Sequence, residues 1–551
     1  MRCAGDGLSR LSLCGSTNRR QIMRNPLSMA GYALLSIPIL LTACGGGGDG
    51  AGNWPVLFPA PAPTQTPPPQ PAPVATTQET CAIFAGASLA GAALKEATLV
   101  PAAAGAAEFC KVTGTLHGTL NFEVHLPTVW NNKLLYAGGG GWDGSINITP
   151  VSPSGATAGY VLVASDGGRQ GNALDASAFL NNPTAQADFG YLSIHSVHEV
   201  TKEIVRKRYG SDAEFSYFEG CSNGGREALI QATRFPNDFD GIVVRAPAYS
   251  FTELFQAFVA NGKALAAPGG QLNDAKVSLI GKAVTTQCDA LDGVSDGIVS
   301  NQETCTFNPV ALRCTAGDAD TCLTDAQIAT ANTIYSELKR KDGTTVYPGW
   351  GPGGEDQGWP LWVTGSAIGG TGLQFQFGSG LVKYWVTGDP AFDVLGFDPE
   401  FYSAGLRLAA TTLDATPDLR SFFGQGGKMI LAHGTNDWAI SYKGSIKYFN
   451  DVATTLGGAS TRDASMEFFL QPGVQHCAGG VGPDTVDLVD AVAKWREGGA
   501  KPSMQNIVAT KLDSTTKTPV LARPLCRYPT FPKYKGSGDV NSADSYSCQN
   551  S

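Results

Sequence analysis

Gly220-Cys221-Ser222-Asn223-Gly224 decides how this chain of 551 residues is read. Phe215-Ser216-Tyr217-Phe218-Glu219 before it is aromatic-rich, as strands are, and Gly225 to Phe235 after it carries the Ala, Leu, Ile and Gln of a helix. A G-x-S-x-G between strand and helix is a sharp turn that presents a serine hydroxyl as a nucleophile. A Gly/Ser surface turn also satisfies the pattern in a chain with 68 glycines, so the reading depends on whether an acid and a histidine stand beyond it.

Six histidines make that search short, and only His433 and His476 lie beyond the turn. Met466 to Leu470 reads as a strand, and the loop after it brings His476, a candidate base. Lys428-Met429-Ile430-Leu431-Ala432 reads as another strand, running through His433 into a polar turn that delivers Asp437. Ser222, Asp437 and His476 then stand in the order nucleophile, acid, histidine of α/β-hydrolases. In that arrangement Ser222 attacks an ester carbonyl, His476 moves the proton, and Asp437 holds the imidazole tautomer. Other acids lie on that side of the turn, and a capping aspartate is the alternative for Asp437; His433 reads as a packed strand-end residue.

Thirteen cysteines are present. Cys3, Cys14 and Cys44 fall in or before a targeting segment, and the remaining ten suit five disulfides in an oxidising compartment. Cys221 precedes the nucleophile and Cys477 comes directly after the base, so a bridge between them would clamp Ser222 to His476. Closing so long a loop contributes about 4 to 5 kcal/mol in the chain-entropy model.

With Cys221-Ser222 and His476-Cys477 paired in this way, the chain resembles the tannase and feruloyl esterase family of α/β-hydrolases, which includes mono(2-hydroxyethyl) terephthalate hydrolase-like enzymes. Gly224-Gly225-Arg226-Glu227, Arg234-Phe235-Pro236, Asp240-Gly241-Ile242-Val243 and Tyr534-Lys535-Gly536-Ser537-Gly538-Asp539 extend the resemblance, which runs from about Cys81 to Cys548. It implies the pairings Cys81 with Cys110, Cys288 with Cys305, Cys314 with Cys322, and Cys526 with Cys548, which the residues alone leave open.

Arg19, Arg20 and Arg24 precede an apolar run from Ala33 to Leu41 that is short for a membrane span, as in an export signal. Leu41-Thr42-Ala43-Cys44 then reads as a lipobox with Cys44 as the lipidated residue; ordinary secretion is the alternative. The expected divisions are a signal over 1–44, a Gly/Pro-rich tether over 45–79, a first core part over 80–247, a lid over 248–415, and a second core part with a C-terminal tail over 416–551. The tether, rich in Gly and then Pro, has little to bury. The fold class is therefore α/β: an α/β-hydrolase core with a large lid inserted between nucleophile and acid. Its core strands are expected at Lys133–Ala137, Tyr160–Ala164, Phe215–Glu219, Gly241–Val244, Lys428–Ala432 and Glu467–Leu470.

Within the lid, Cys288-Asp289-Ala290-Leu291-Asp292-Gly293-Val294-Ser295-Asp296-Gly297-Ile298 clusters three carboxylates on a bent loop, without EF-hand spacing. A solvated Asp/Gly turn is one reading. The family resemblance implies a structural Ca2+ held by Asp289, Asp292 and Asp296 side chains and the carbonyls of Val294 and Ile298. Gly138-Gly139-Gly140-Gly141 comes after a strand where α/β-hydrolases place an oxyanion loop, a flexible turn being the alternative, and the resemblance implies Gly141 with Asn223 as the N–H donors.

His198-Glu199 lacks the second histidine of H-E-x-x-H, since Lys202 stands in its place, and no glycine run carries a phosphate-loop lysine. No organic cofactor is expected. The formal charge of −9 argues against a nucleic-acid partner. The sequence reads as an exported serine carboxylesterase acting on small esters of aromatic acids, located as an outer-membrane lipoprotein, in the periplasm, or secreted; membrane contact is expected only through a lipid at Cys44. Lid aromatics Trp359, Trp362, Phe375, Phe377 and Tyr384 are candidate ring-stacking residues. A terephthalate-monoester hydrolase is the alternative, with a non-catalytic binding protein on the same fold as a third. Relatives that act on terephthalate monoesters hold the free carboxylate with a lid arginine, and no arginine lies between Lys341 and Gly405.

Overall fold

Ten strands form one sheet in the computed structural model, which describes residues 78–103 and 107–551. The export signal, Cys44 and all but the end of the tether lie outside the described residues. The strands are β1 (Ser88–Leu89), β2 (Ala92–Val100), β3 (Phe109–Leu116), β4 (Leu120–Pro127), β5 (Lys133–Ala137), β6 (Val161–Ser165), β7 (Phe215–Cys221), β8 (Gly241–Arg245), β9 (Lys428–Gly434) and β10 (Met466–Gln471). They lie in the order β1-β2-β3-β4-β6-β5-β7-β8-β9-β10. From β6 to β10 every neighbouring pair is parallel, while β1 to β4 form an antiparallel edge that joins β6 through β4.

The parallel strands are apolar on both faces, because helices cover both sides. Leu134 and Tyr136 of β5, Phe218 of β7, Ile242 and Val244 of β8, and Met429 and Leu431 of β9 pack on one side. Leu135, Tyr217, Val243, Ile430 and Ala432 alternate with them and pack on the other. A pleated strand produces this two-residue alternation, so both sets are buried without changing register.

Between β8 and β9 the chain leaves the sheet and forms helices that include Phe251–Ala266, Asp274–Cys288, Asp325–Tyr335, Glu355–Trp362, Leu373–Leu381 and Ser403–Leu413. This inserted segment has an apolar core in which Phe255, Ile280, Trp359 and Leu381 are buried. Trp142, from the loop after β5, enters it edge-on to Phe251 and Phe255, with ring centroids 5.0 and 5.5 Å apart. The six strands expected from the sequence are all present, several longer by a residue or two. The antiparallel edge was not foreseen, although in β4 Leu120, Phe122, Val124 and Leu126 alternate with Asn121, Glu123 and His125, which was a usable signal.

Candidate active site

Four loops meet at the C-terminal ends of the parallel strands, where open α/β sheets place their sites. They carry Ser222 after β7, Gly138–Gly141 after β5, Asp437 after β9 and His476 after β10. Ser222 has φ 66°, in the left-handed region, which for a non-glycine residue costs on the order of 1–3 kcal/mol. Its N–H donates to Arg245 O at 3.1 Å and its carbonyl accepts from Ala248 N at 3.1 Å, so the loop after β8 holds the strained turn in place. The flanking glycines are needed for closeness: a Cβ on Gly220 would lie 2.3 Å from Gly224 O, and one on Gly224 would lie 2.7 Å from Gly139 O.

His476 Nδ1 lies 2.7 Å from Asp437 Oδ2. The other oxygen of Asp437 accepts the N–H groups of Ala439 and Ile440, both at 2.8 Å. Asp437 is buried, which alone would raise its carboxyl. The charge of His476 and the hydrogen bonds from His433 and His476 outweigh burial and hold it well below the usual carboxylate range. Buried His433 stands 3.3 Å from Asp437 Oδ2 and also bonds Ser445 Oγ at 2.7 Å. It is the packed strand-end histidine expected, and it supports the acid as well.

Ser222, His476, Asn223 and Gly138 to Gly141 line one cavity of about 440 Å3, together with both bridged cysteines. Among the described residues, no acceptor takes the N–H of Gly141 or of Asn223, the first residue of its helix. These two donors therefore face a site where the helix N-terminus favours negative charge. The Cys221–Cys477 bridge expected from the positions of its cysteines and the four pairings implied by the resemblance are all formed.

The cavity's apolar wall comes from Phe251, Leu254, Phe255, Phe258, Trp362 and Phe377. Of the five aromatics named from the sequence, Trp362 and Phe377 reach the cavity, Trp359 is wholly buried in the lid core, and Phe375 and Tyr384 pack against that core. The sequence reading missed the helix Phe251–Ala266. Its 251, 254, 255, 258 spacing is one helical face and was a usable signal. Glu219 also lines the cavity, with its carboxylate taken by Arg245 Nε at 2.9 Å and Ser152 Oγ at 2.7 Å.

In the aspartate loop, Asp289 Oδ1 accepts the Gly297 N–H at 3.0 Å, Asp292 Oδ1 that of Val294 at 3.1 Å, and Asp296 Oδ1 that of Ile298 at 3.0 Å. Arg523 takes the other oxygen of Asp296. Asp292 Oδ2 is buried without a partner, and burial raises that carboxyl to about 6. Among the described residues no N–H or hydroxyl donates to the carbonyls of Val294 or Ile298. The unpartnered Asp292 oxygen is the feature of this loop that a hard cation would satisfy.

Residues 104–549 match the family model "Tannase and feruloyl esterase". A probable feruloyl esterase from Arthroderma benhamiae is 33% identical over 485 residues, covering 80% of this chain and 86% of its own. The mono(2-hydroxyethyl) terephthalate hydrolase of Piscinibacter sakaiensis is 30% identical over 530 residues, covering 81% and 86%. The crystal structure of feruloyl esterase B from Aspergillus oryzae superposes with a TM-score of 0.77 at 27% identity, covering 86% of this chain and all of that one.

Proposed function

Because the chain belongs to the tannase and feruloyl esterase family and is a carboxylic ester hydrolase of that type, we propose that Ser222, His476 and Asp437 carry its reaction. Ser222 Oγ attacks the ester carbonyl while His476 takes its proton; the carbonyl oxygen becomes an anion that accepts from the N–H groups of Gly141 and Asn223. Collapse expels the alcohol, protonated by His476, and leaves an acyl-serine. Water activated by the same imidazole then releases the acid. The observation that carries this reading is the 2.7 Å contact from His476 to a buried, ionised Asp437, at the rim of a cavity shared with strained Ser222.

The acyl group fitting this cavity is a neutral aromatic one, of the ferulate or gallate kind. Phe251, Phe255, Phe258 and Phe377 offer ring surfaces, and no lysine or arginine is among the described residues lining the cavity. A free carboxylate buried there without a cation would lose on the order of 10- to 100-fold in kcat/KM. The test is the purified protein and Ser222→Ala, assayed on methyl ferulate, methyl gallate and the terephthalate monoester. Loss of turnover by about ten-thousandfold or more in the variant is expected, with the phenolic esters leading in the wild type. Equal turnover by wild type and variant would remove Ser222 from the reaction; dominant monoester turnover would overturn the acyl assignment.

A structural calcium ion at Asp289, Asp292, Asp296, Val294 and Ile298 is also proposed, supported by the unpartnered Asp292 oxygen. Five disulfides fit an exported protein. Lipidation at Cys44 is the finer proposal, and Cys44→Ser should move the enzyme from the membrane fraction to the soluble one.

A further inference from the structure

We propose that Asp143 and Glu227 are positioning residues: a buried carboxyl pair holding one proton between them, which fastens the Gly139–Asp143 loop to the start of the nucleophile helix. This rests on the reading of Gly141 and Asn223 as the oxyanion donors.

The connections run through Asn223, whose backbone N–H faces the cavity. Its side-chain Nδ2 donates to Asp143 Oδ1 at 2.8 Å and to Glu227 Oε1 at 3.1 Å. Glu227 Oε2 accepts the N–H of Gly139 at 2.9 Å. Gly224 N donates to Gly139 O at 3.0 Å, and Asp143 N to Gly140 O at 2.8 Å, which closes a turn around Gly141. One network thus sets where both oxyanion donors point.

The two carboxyl groups are 2% and 4% exposed, and a single amide nitrogen, Asn223 Nδ2, donates to both. Two carboxylates so close in a buried place cannot both stay ionised, so the pair keeps a proton. Burial, then the charge of Glu227, pushes the Asp143 carboxyl far above its ordinary range. Burial also raises Glu227, and Arg226 with bonds from Gly139, Asp143 and Asn223 offsets only part of that rise. Both carboxyls thus favour protonation, and the pair holds one proton between them.

The surrounding charges agree. Arg226, on the same helix, spends its donors on Asn223 Oδ1 and the carbonyls of Phe189, Gly190 and Leu413, and so stays as a fixed cation. One cation and one anion leave this knot neutral. Tyr136 of β5 is near enough to feel both carboxyls and stays a neutral phenol bonded to Ser165; Arg169 and Asp166, from the loop after β6, and Asp414 and Arg234, which act on Arg226, are further charges felt there. The space is built for the acid: a Cβ on Gly139 would lie 2.4 Å from Asp143 Oδ1, and one on Gly167 would lie 2.1 Å from Oδ2.

Raising the pH far enough to remove the shared proton sets two like charges in contact and loosens the loop. The test compares wild type, Asp143→Ala and Asp143→Asn on methyl ferulate across pH, with thermal unfolding and inhibition by phenylboronic acid, which mimics the tetrahedral intermediate on Ser222. Asp143→Ala should lower kcat by about 10- to 100-fold with KM little changed, and weaken boronate inhibition in parallel. Asp143→Asn, which needs no shared proton, should recover most of that loss and move the alkaline fall of kcat to higher pH. Unchanged kcat in a folded Asp143→Ala, or the wild-type alkaline limb in Asp143→Asn, would overturn the proposal. If instead the wild type itself fails to bind the boronate, the oxyanion reading beneath it is the one at fault.

Discussion

Trp362, at the end of the lid helix Glu355–Trp362, stands edge-on to the imidazole of His476 with ring centroids 5.2 Å apart and planes at 78°. Asp437 meets the same ring at Nδ1, so the proposed base is held by a carboxylate from the core and by an indole from the lid. The indole lays apolar surface against one side of the imidazole, where a lower local dielectric strengthens the His476–Asp437 contact. The lid thereby touches the proposed base as well as lining the pocket.

That contact makes the lid testable through a single residue. Trp362→Ala should lower kcat/KM for methyl ferulate by about tenfold, in line with an aromatic pair worth roughly 1 kcal/mol plus lost cover. Because Ser222 and Asp437 are untouched, covalent labelling of Ser222 by an organophosphate should still go to completion, though more slowly. An unaltered kcat/KM would separate the lid from the base.

A second prediction concerns the bridge. Cys221–Cys477 spans 256 positions and joins the residues adjoining nucleophile and base; φ is positive on both sides of it, 66° at Ser222 and 65° at Cys477. The double variant Cys221→Ala, Cys477→Ala frees two strained turns from each other. Turnover should fall by more than about tenfold while far-UV circular dichroism stays native, because positioning is lost before the sheet is. Native turnover in that variant would show that β7 and β10 suffice to align the pair.

Much of this site was legible before the structure. Ser222, Asp437 and His476 each come after a short strand rich in aromatic or aliphatic residues, and such strands announce themselves because most of their side chains are buried on both faces. The chemistry-bearing loops come directly after them. What stayed hidden acts across distances that no local pattern encodes. Asp143 and Glu227 meet through the fold, 84 positions apart, with Asn223 between them. His433 supports Asp437 only because Ser445 and Ile440 turn its ring toward the acid. In the lid, Trp359 and Trp362 sit three positions apart on one helix, yet one is buried in the lid core and the other reaches the cavity. Composition marks both as apolar, and only the packing separates them.

The aspartate loop yields a third prediction. Asp292 Oδ2 is buried and unpartnered, and a cation would remove that cost. Chelation of the purified enzyme should lower Tm by several degrees, and micromolar to millimolar Ca2+ should restore it. Asp292→Asn should abolish the calcium response. Since the loop does not contribute to the cavity lining, kcat measured at low temperature should change little. A Tm indifferent to both chelator and calcium would leave the loop as an Asp/Gly turn tied by Arg523.

The last prediction uses a buried acid remote from the chemistry. Glu355 is fully buried within the lid, where burial pushes its carboxyl up to about 7. Tyr335 donates to one of its oxygens at 2.7 Å and Gly353 N at 2.8 Å, while the other oxygen has no partner. The unfolded chain releases this proton near 4.5, so between about pH 4.5 and 7 the folded state binds more protons than the unfolded one. Stability should therefore fall as pH rises through that window, by up to about 3 kcal/mol from this group alone. Glu355→Gln keeps the acceptor for Tyr335 and carries no charge to desolvate. It should flatten the decline, with a Tm gain over wild type at pH 8 that shrinks toward pH 5. Parallel Tm curves for the two proteins across the window would mean that Glu355 is solvated in the folded state, contrary to its complete burial.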